Sequence, residues 1–373
     1  MTGLPDAPAP PAYLVDFLRL EADLTDLASL RGCPQDPEHH AEGDVHTHTR
    51  LVCEALAQSS GYRALPPEDR AVLFAAAALH DIAKPACTVV LDKGRVQAPS
   101  HGPRGALQSR VLLWRRGVPF AAREQIAALV RCHQVPFYLI DDPDPRRMAI
   151  SVSQTARCDL LALLAEADAR GRICRDPQRL LDQVALFRAF CEDLGCLQTP
   201  YPFPSDHSRF LYFRTPDRAP DYLAHDDTRC EVVLLSGLPG AGKSRHAARA
   251  FADWPQVSLD ALRDELDVSP EDGQAPVVEA ARQRARSSLR RGESFVWNAT
   301  SLSRQQRRQC IDLFAAYGAR VRIVYVEASA AALYEQNAAR AARVPTAVID
   351  RLLQRWEVPD LSEAHQLDVI LGP

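Results

Sequence analysis

Two groups of residues in this chain have the types and spacing to handle phosphate. The first is Gly237-Leu-Pro-Gly-Ala-Gly-Lys-Ser244, which satisfies G-x-x-x-x-G-K-[ST] at every fixed position. Gly237, Gly240 and Gly242 let backbone N–H groups turn onto a phosphate, and the helix that follows adds positive potential at its N-terminus. Lys243 then reaches the β- and γ-phosphates and Ser244 holds Mg²⁺, so the expected cofactor is ATP or another nucleoside triphosphate with Mg²⁺. Beyond the loop, Ser258-Leu-Asp260-Ala-Leu-Arg263 opens a helix after a short extended segment, 256–259. Ligands of parallel α/β sheets sit at the carboxyl ends of the strands, so Asp260 is expected to face the triphosphate and take the proton of an attacking hydroxyl. Arg263, one turn on, can hold a phosphate adjoining that acceptor. Further along, Asn337-Ala-Ala-Arg340-Ala-Ala-Arg343 places Arg340 and Arg343 where a lid would supply charge as phosphoryl passes across.

The second group is His48, the doublet His80-Asp81, His101, His133 and Asp168. Imidazole and carboxylate together suit borderline divalent ions such as Mn, Fe, Co, Ni or Zn. Neighbours on a helix diverge by about 100°, so a His-Asp doublet grips an ion only where other helices bring further ligands. Taken singly, each of these histidines reads as a core or surface residue. The ordered set H…HD…H…H…D is what points to a metal centre. His48 is preferred over His46 because Thr49 and a helical run follow it.

The elements that must position these groups divide the chain. After a Pro/Ala-rich tail at 1–12 and an amphipathic helix at about 13–30, helical patterns run near 46–59, 67–83, 102–116, 121–133, 151–169 and 177–195, with no convincing alternating strand. Five prolines at 200, 202, 204, 216 and 220 mark a linker or docking segment. Apolar runs at 231–236, 294–298, 320–326 and 366–371 then alternate with helical patterns, the signature of a parallel sheet. The expected fold is therefore two domains, an all-α helical bundle over 1–198 with its metal site within 44–175, and an α/β P-loop domain over 229–373, joined by 199–228.

Composition agrees with a soluble globular protein: 46% of residues are hydrophobic and 25% charged. No apolar run reaches about 18 residues and no basic region precedes an apolar stretch at Met1, so a cytoplasmic protein with no membrane partner is expected. The ten cysteines show no C-x-x-C spacing and read as reduced thiols. A net charge of −4 predicts no bulk attraction to nucleic acid, although Arg282 to Arg308 holds eight arginines and one acid, Glu293. That run reads either as a solvated face or as a track for a phosphate backbone.

Asp81-Ile-Ala-Lys84-Pro85 and Ala167-Asp168-Ala-Arg-Gly-Arg172, together with the ordered histidines, resemble the HD phosphohydrolase superfamily. The resemblance implies a bundle holding one or two divalent transition metals: His48, His80, Asp81 and Asp168 around one, His101 and His133 around a second, with Asp81 bridging. Lys84 and Arg172 would neutralise the phosphate. In the other half, the loop, the D-x-x-R, Asn298-Ala-Thr300 with Arg304, the N-x-x-R-x-x-R lid and the tail Pro359…Glu363-Ala-His365 resemble 5′-hydroxyl polynucleotide kinases. The combination resembles the bacterial HD-Pnk family of end-healing enzymes. It implies phosphorylation of 5′-OH ends of DNA or RNA and removal of 2′,3′-cyclic, 2′- or 3′-phosphates. No K-x-D-G ligase signature is present, so sealing would need a separate ligase. Two other readings stay open: an HD nucleotidase fused to a nucleoside or sugar kinase, and a nucleotide-sensing P-loop switch that regulates the HD domain.

Overall fold

The computed structural model describes residues 2–269, 272–339 and 343–372, with no side chain for Lys93. Contacts divide the chain into two units, Met1–Pro202 and Phe203–Pro373. Among the described residues no single helix is long and apolar enough to cross a membrane.

The first unit is helical: α1 (Phe17–Asp23), α2 (Val45–Gln58), α3 (Ser60–Ala64), α4 (Pro67–Leu79), α5 (Lys84–Cys87), α6 (His101–Arg115), α7 (Phe120–Cys132), α8 (Val135–Tyr138), α9 (Pro145–Ser153), α10 (Cys158–Gly171) and α11 (Pro177–Asp193). Its core is threaded by α4 and α10, whose apolar positions run almost all round, as a helix surrounded by others requires. Two glycines set how closely neighbours approach. A Cβ on Gly171 would come within 2.7 Å of Val52 on α2, and one on Gly102 within 2.8 Å of the Arg131 carbonyl on α7. Small residues there let α10 lie on α2 and α6 on α7, bringing Asp168 to His48 and His101 to His133.

Four expectations change. The span read as one helix over 151–169 is two, because Ser153 and Thr155 hydroxyls donate back to the carbonyls of Ile150 and Val152 and end α9. A small hairpin, β1 (Val89–Val90) with β2 (Val96–Gln97), interrupts the half read as helical. The span 13–30 holds only α1 followed by a 3₁₀ turn at Thr25–Leu30. The tail is pinned rather than frayed, since Tyr62 donates to the Pro8 carbonyl at 3.2 Å and Arg116 to that of Gly3 at 2.8 Å.

The second unit is built on a parallel sheet of β3 (Cys230–Ser236), β4 (Gln256–Ser258), β5 (Phe295–Asn298), β6 (Ala319–Glu327) and β7 (Gln366–Leu371), in the order β4-β5-β3-β6-β7. Val232 to Leu235 are fully buried, as a central parallel strand covered on both faces must be. Around it lie α12 (Asp206–Arg214), α13 (Lys243–Ala250), α14 (Leu259–Glu265), α15 (Ala275–Arg290), α16 (Arg304–Ala315), α17 (Ala330–Ala338) and α18 (Thr346–Leu353). The proline-rich stretch therefore carries a helix, α12, whose Phe210 belongs to the core of this unit.

Candidate functional sites

In the first unit all six predicted ligands converge. His48 comes from the first turns of α2, Asp168 from the end of α10, and His101 from the start of α6. His80 and Asp81 follow α4, and His133 follows α7. None is more than 5% exposed. They fall into two groups whose ligand atoms lie within 4.8 Å of one another: His48, His80 and Asp168, and Asp81, His101 and His133.

Asp81 stands between the groups. Its Oδ2 is 3.1 Å from His80 Nε2 and 3.8 Å from His48 Nε2, and its Oδ1 is 3.4 Å from His101 Nε2 and 3.7 Å from His133 Nε2. Three of the rings have their tautomer fixed. The Nδ1 atoms of His80, His101 and His133 donate to the carbonyls of Ala77, Ala98 and Val130 at 2.6–2.8 Å. A carbonyl only accepts, so a neutral ring carries its hydrogen on Nδ1 and turns a bare Nε2 inward. His101 Nε2 and His133 Nε2 then face each other at 3.3 Å, beside a buried Asp81 Oδ1 that has no hydrogen-bond partner among the described residues. Acceptors gathered without a donor are what a cation needs, so these residues fit a metal ion.

Electrostatics agree. Burial holds His133 down at about 3 and His101 below its usual value, so both are neutral. Burial pushes Asp81 and Asp168 upward, but it is overridden by His80 and Lys84 at Asp81 and by Arg172 at Asp168, and both carboxylates stay ionised. His80 moves the other way: burial lowers its pKa, and the charge of Asp81 outweighs that and raises it. This side of the cluster calls for positive charge.

Lys84 Nζ lies 2.8 Å from Asp81 Oδ2 and is steadied by Gln35 at 2.7 Å. Arg172 donates to both oxygens of Asp168, at 2.9 and 2.7 Å, and its guanidinium rests 4.8 Å over the Phe137 ring. Both predicted phosphate-neutralising cations therefore reach the cluster. Sequence reasoning missed Glu42 and His40. Glu42 Oε1 lies 2.8 Å from Nδ1 of both His40 and His48, the second contact lying off the ideal line of the ring N–H. Nothing in their spacing marks them; they are placed by the loop that enters α2.

In the second unit the phosphate loop joins β3 to α13. Gly237 has φ +145, and a Cβ there would sit 2.1 Å from the Val326 carbonyl of the neighbouring strand, so only glycine fits. Gly240 and Gly242 also take positive φ, and Lys243 folds over the loop, donating to the carbonyls of Gly237 and Leu238 at 2.9 Å. Asn298, at the end of β5, donates to Ser244 Oγ at 3.4 Å, and in the sheet register Ser258 stands opposite Asn298. Ser258 caps α14, so Asp260 opens that helix at the same edge of the sheet. Its side chain is 76% exposed and pairs with Arg263, which also donates to Gln274 at 2.6 Å.

Of the lid, Arg340 lies outside the described residues and Arg343 is exposed. Asn337 is buried and makes a two-way amide contact with the backbone of Val344, which ties Val344 to α17. The tail residues have other work. Glu363 grips the fully buried Arg307 at 2.7 and 2.8 Å, Arg304 bonds to Asp360 at 2.6 Å, and His365 accepts from the Val321 N–H. Much of the arginine run is paired. Arg284, Arg286, Arg291, Arg304, Arg307 and Arg308 each pair with an acid, five of the six partners lying outside the run in sequence.

The chain matches a family model described as an AAA domain over residues 232–359. Among solved structures it is similar to a putative kinase from Chloroflexus aurantiacus J-10-fl, at 16% identity and TM-score 0.33, covering 39% of this chain and 86% of that one. It is similar also to a sugar kinase from Janibacter sp. HTCC2649, at 18% identity and TM-score 0.31, over 39% and 87%. A third is a gluconokinase from Sinorhizobium meliloti 1021, at 20% identity and TM-score 0.29, over 39% and 86%. The phosphate loop, the parallel sheet and the family model together make the second unit a P-loop domain.

Proposed function

We propose that the chain is a two-centre enzyme of nucleic-acid ends: a metal-dependent phosphohydrolase in 1–202 and a 5′-OH polynucleotide kinase in 203–373. The observation that carries the first half is the convergence of His48, His80, Asp81, His101, His133 and Asp168 on one buried cluster. Bound there, one or two divalent ions would supply an activated water and polarise a phosphoryl oxygen. His48, His80, Asp81 and Asp168 would hold one and His101 and His133, with Asp81, the other. Lys84 and Arg172 stand beside the carboxylates, where their charge favours an entering phosphate.

For the second half, the loop amides, Lys243 and Ser244 bind the triphosphate and its Mg²⁺, Asp260 takes the acceptor's proton, and Arg263 holds a neighbouring phosphate. Arg340 and Arg343 complete the charge on closure. The pairing of Asp260 with Arg263 supports this division of roles, because an acceptor that brings its own phosphate can displace the carboxylate from the guanidinium and free it as a base.

A small-molecule acceptor is favoured by one observation, the pairing of six of the eight arginines of the run with acids, which weakens a basic path for a long strand. Labelled ATP offered with a 5′-OH oligonucleotide, a free nucleoside and a free sugar decides between the two. Transfer to the oligonucleotide alone is the expected result, and transfer to the sugar alone would overturn it. Release of phosphate from 2′,3′-cyclic and 3′-phosphate ends, dependent on added Mn²⁺, Co²⁺ or Ni²⁺ and lost with a chelator, is the expected result for the first half.

A further inference from the structure

Three of the cluster's histidines fix their tautomer on the carbonyl three residues back, and His48 does not. Its counterpart would be the Val45 carbonyl, which instead accepts the Thr49 hydroxyl at 2.8 Å. The carboxylate that stands at His48 Nδ1 is Glu42, 2.8 Å away on a side chain 1% exposed, an ion-pair contact off the line of the ring N–H rather than a formed hydrogen bond. The same Oε1 accepts from His40 Nδ1 at 2.8 Å, while Oε2 accepts the Ile173 N–H at 2.8 Å. The Ala41 N–H donates back to the Ile173 carbonyl at 2.8 Å. One buried carboxylate therefore touches the rear of a ligand histidine and the segment that carries Arg172.

We infer that Glu42 is the positioning residue of the metal centre, holding His48 with its hydrogen on Nδ1 and anchoring the Arg172 segment through the same carboxylate. An ionised carboxylate only accepts, so a neutral His48 facing it presents a bare Nε2 toward Asp168 Oδ1, 3.2 Å away, and His80 Nε2, 3.4 Å away. Without Glu42 the two tautomers of His48 compete, and one of them points a hydrogen at the ion. The inference rests on the reading of the cluster as a metal centre.

Glu42→Gln is the informative variant, being the same shape with one acceptor and one donor. If its oxygen faces the imidazoles, its NH₂ meets the Ile173 N–H; if it turns over, its NH₂ meets His48 Nδ1 and forces the wrong tautomer. Either way one arm is lost. Titration of the purified full chain with Co²⁺ alone, followed by the visible absorption of the bound ion, is expected to show affinity at the His48 site reduced about 10–100-fold, with an altered spectrum. Glu42→Asp keeps two acceptor oxygens on a shorter arm and is expected to fall between wild type and Glu42→Gln. Thermal unfolding of each variant shows that the protein scored is folded. Wild-type affinity and spectrum in Glu42→Gln would overturn the inference, as would a Glu42→Asp no better than Glu42→Gln. A wild type that binds no Co²⁺ would instead bring down the metal reading, and the inference with it.

Discussion

The two candidate sites solve the placing of charge near phosphate in opposite ways. In the first unit the working groups are short side chains on packed helices, none more than 5% exposed, each braced by a carbonyl, a carboxylate or a cation. In the second the fixed part is backbone, a glycine loop pressed against β6, while Asp260 and Arg343 stand in solvent on movable side chains. Buried carboxylates are tolerated only when neutralised, so a metal-type site must be assembled before substrate arrives. A triphosphate site can leave its catalytic groups to be gathered when substrate closes the lid. The first site should therefore fail as a unit when one member is lost, and the second by degrees.

The largest break is expected at Asp81, the carboxylate that stands between the two groups. Asp81→Ala should lose bound transition metal and reduce hydrolysis of 2′,3′-cyclic and 3′-phosphate ends by about 10⁴-fold or more, since an activated water is lost with the ions. Phosphorylation of 5′-OH ends should persist. Elemental analysis with both assays run in parallel checks this, and retained metal would mean that the histidines are structural.

Asp260→Ala should cost the kinase about 10²–10⁴-fold in rate with ATP binding nearly intact, as loss of a general base does when the phosphate contacts of Lys243 and the loop are untouched. Near-wild-type transfer would remove Asp260 from the mechanism. Arg263→Ala should be milder. A charge-assisted contact contributes about 1.5–3 kcal/mol, so KM should rise by roughly 10–100-fold for an acceptor carrying a phosphate beside its terminal nucleoside, and little for one lacking it. Equal effects on the two acceptors would leave Arg263 with only the task of holding Asp260.

What the sequence revealed follows the same division. The loop and its strand were legible because every fixed position is local, and β3 begins and ends within a residue of the apolar run. The six clustered side chains stood out only as an ordered set, since no spacing says that Gly171 and Gly102 let the helices close on one another. Glu42 and His40 were not legible at all, because their place beside His48 depends on a loop folding back onto α2. The arginine run could be read two ways for the same reason: charge counted along the chain ignores partners that arrive from elsewhere, such as Asp360 and Glu363. Glu363 and His365, grouped with the kinase pattern by resemblance, belong to the packing of the unit.

The packing of His365 should give the smallest effect and the most direct test of whether the second unit has a closed interior of its own. His365 is 1% exposed, its Nδ1 accepts from the Val321 N–H at 3.0 Å, its Nε2 faces His207 Nδ1 at 3.0 Å, and its ring stacks 3.9 Å from Phe210. Burial, helped by the charges of Arg320 and His207, pushes its pKa down to about 3. In the unfolded chain the ring titrates near 6.5. As pH falls below about 6.5 the unfolded state takes up a proton that the folded state refuses, so the contribution to stability is complete above that pH and erodes down to about 3, where the folded ring also protonates. At pH 5 the loss amounts to about 2 kcal/mol. Urea unfolding of the second unit, followed from pH 7.5 to 4.5, should therefore show a falling midpoint in wild type and a flatter one in His365→Gln, which keeps an acceptor for Val321 but cannot charge. Transfer activity per folded molecule should match wild type, since the residue packs and does not touch phosphate; parallel unfolding profiles in the two proteins would mean that the ring is hydrated in the folded state and that the tail lies looser than its contacts imply.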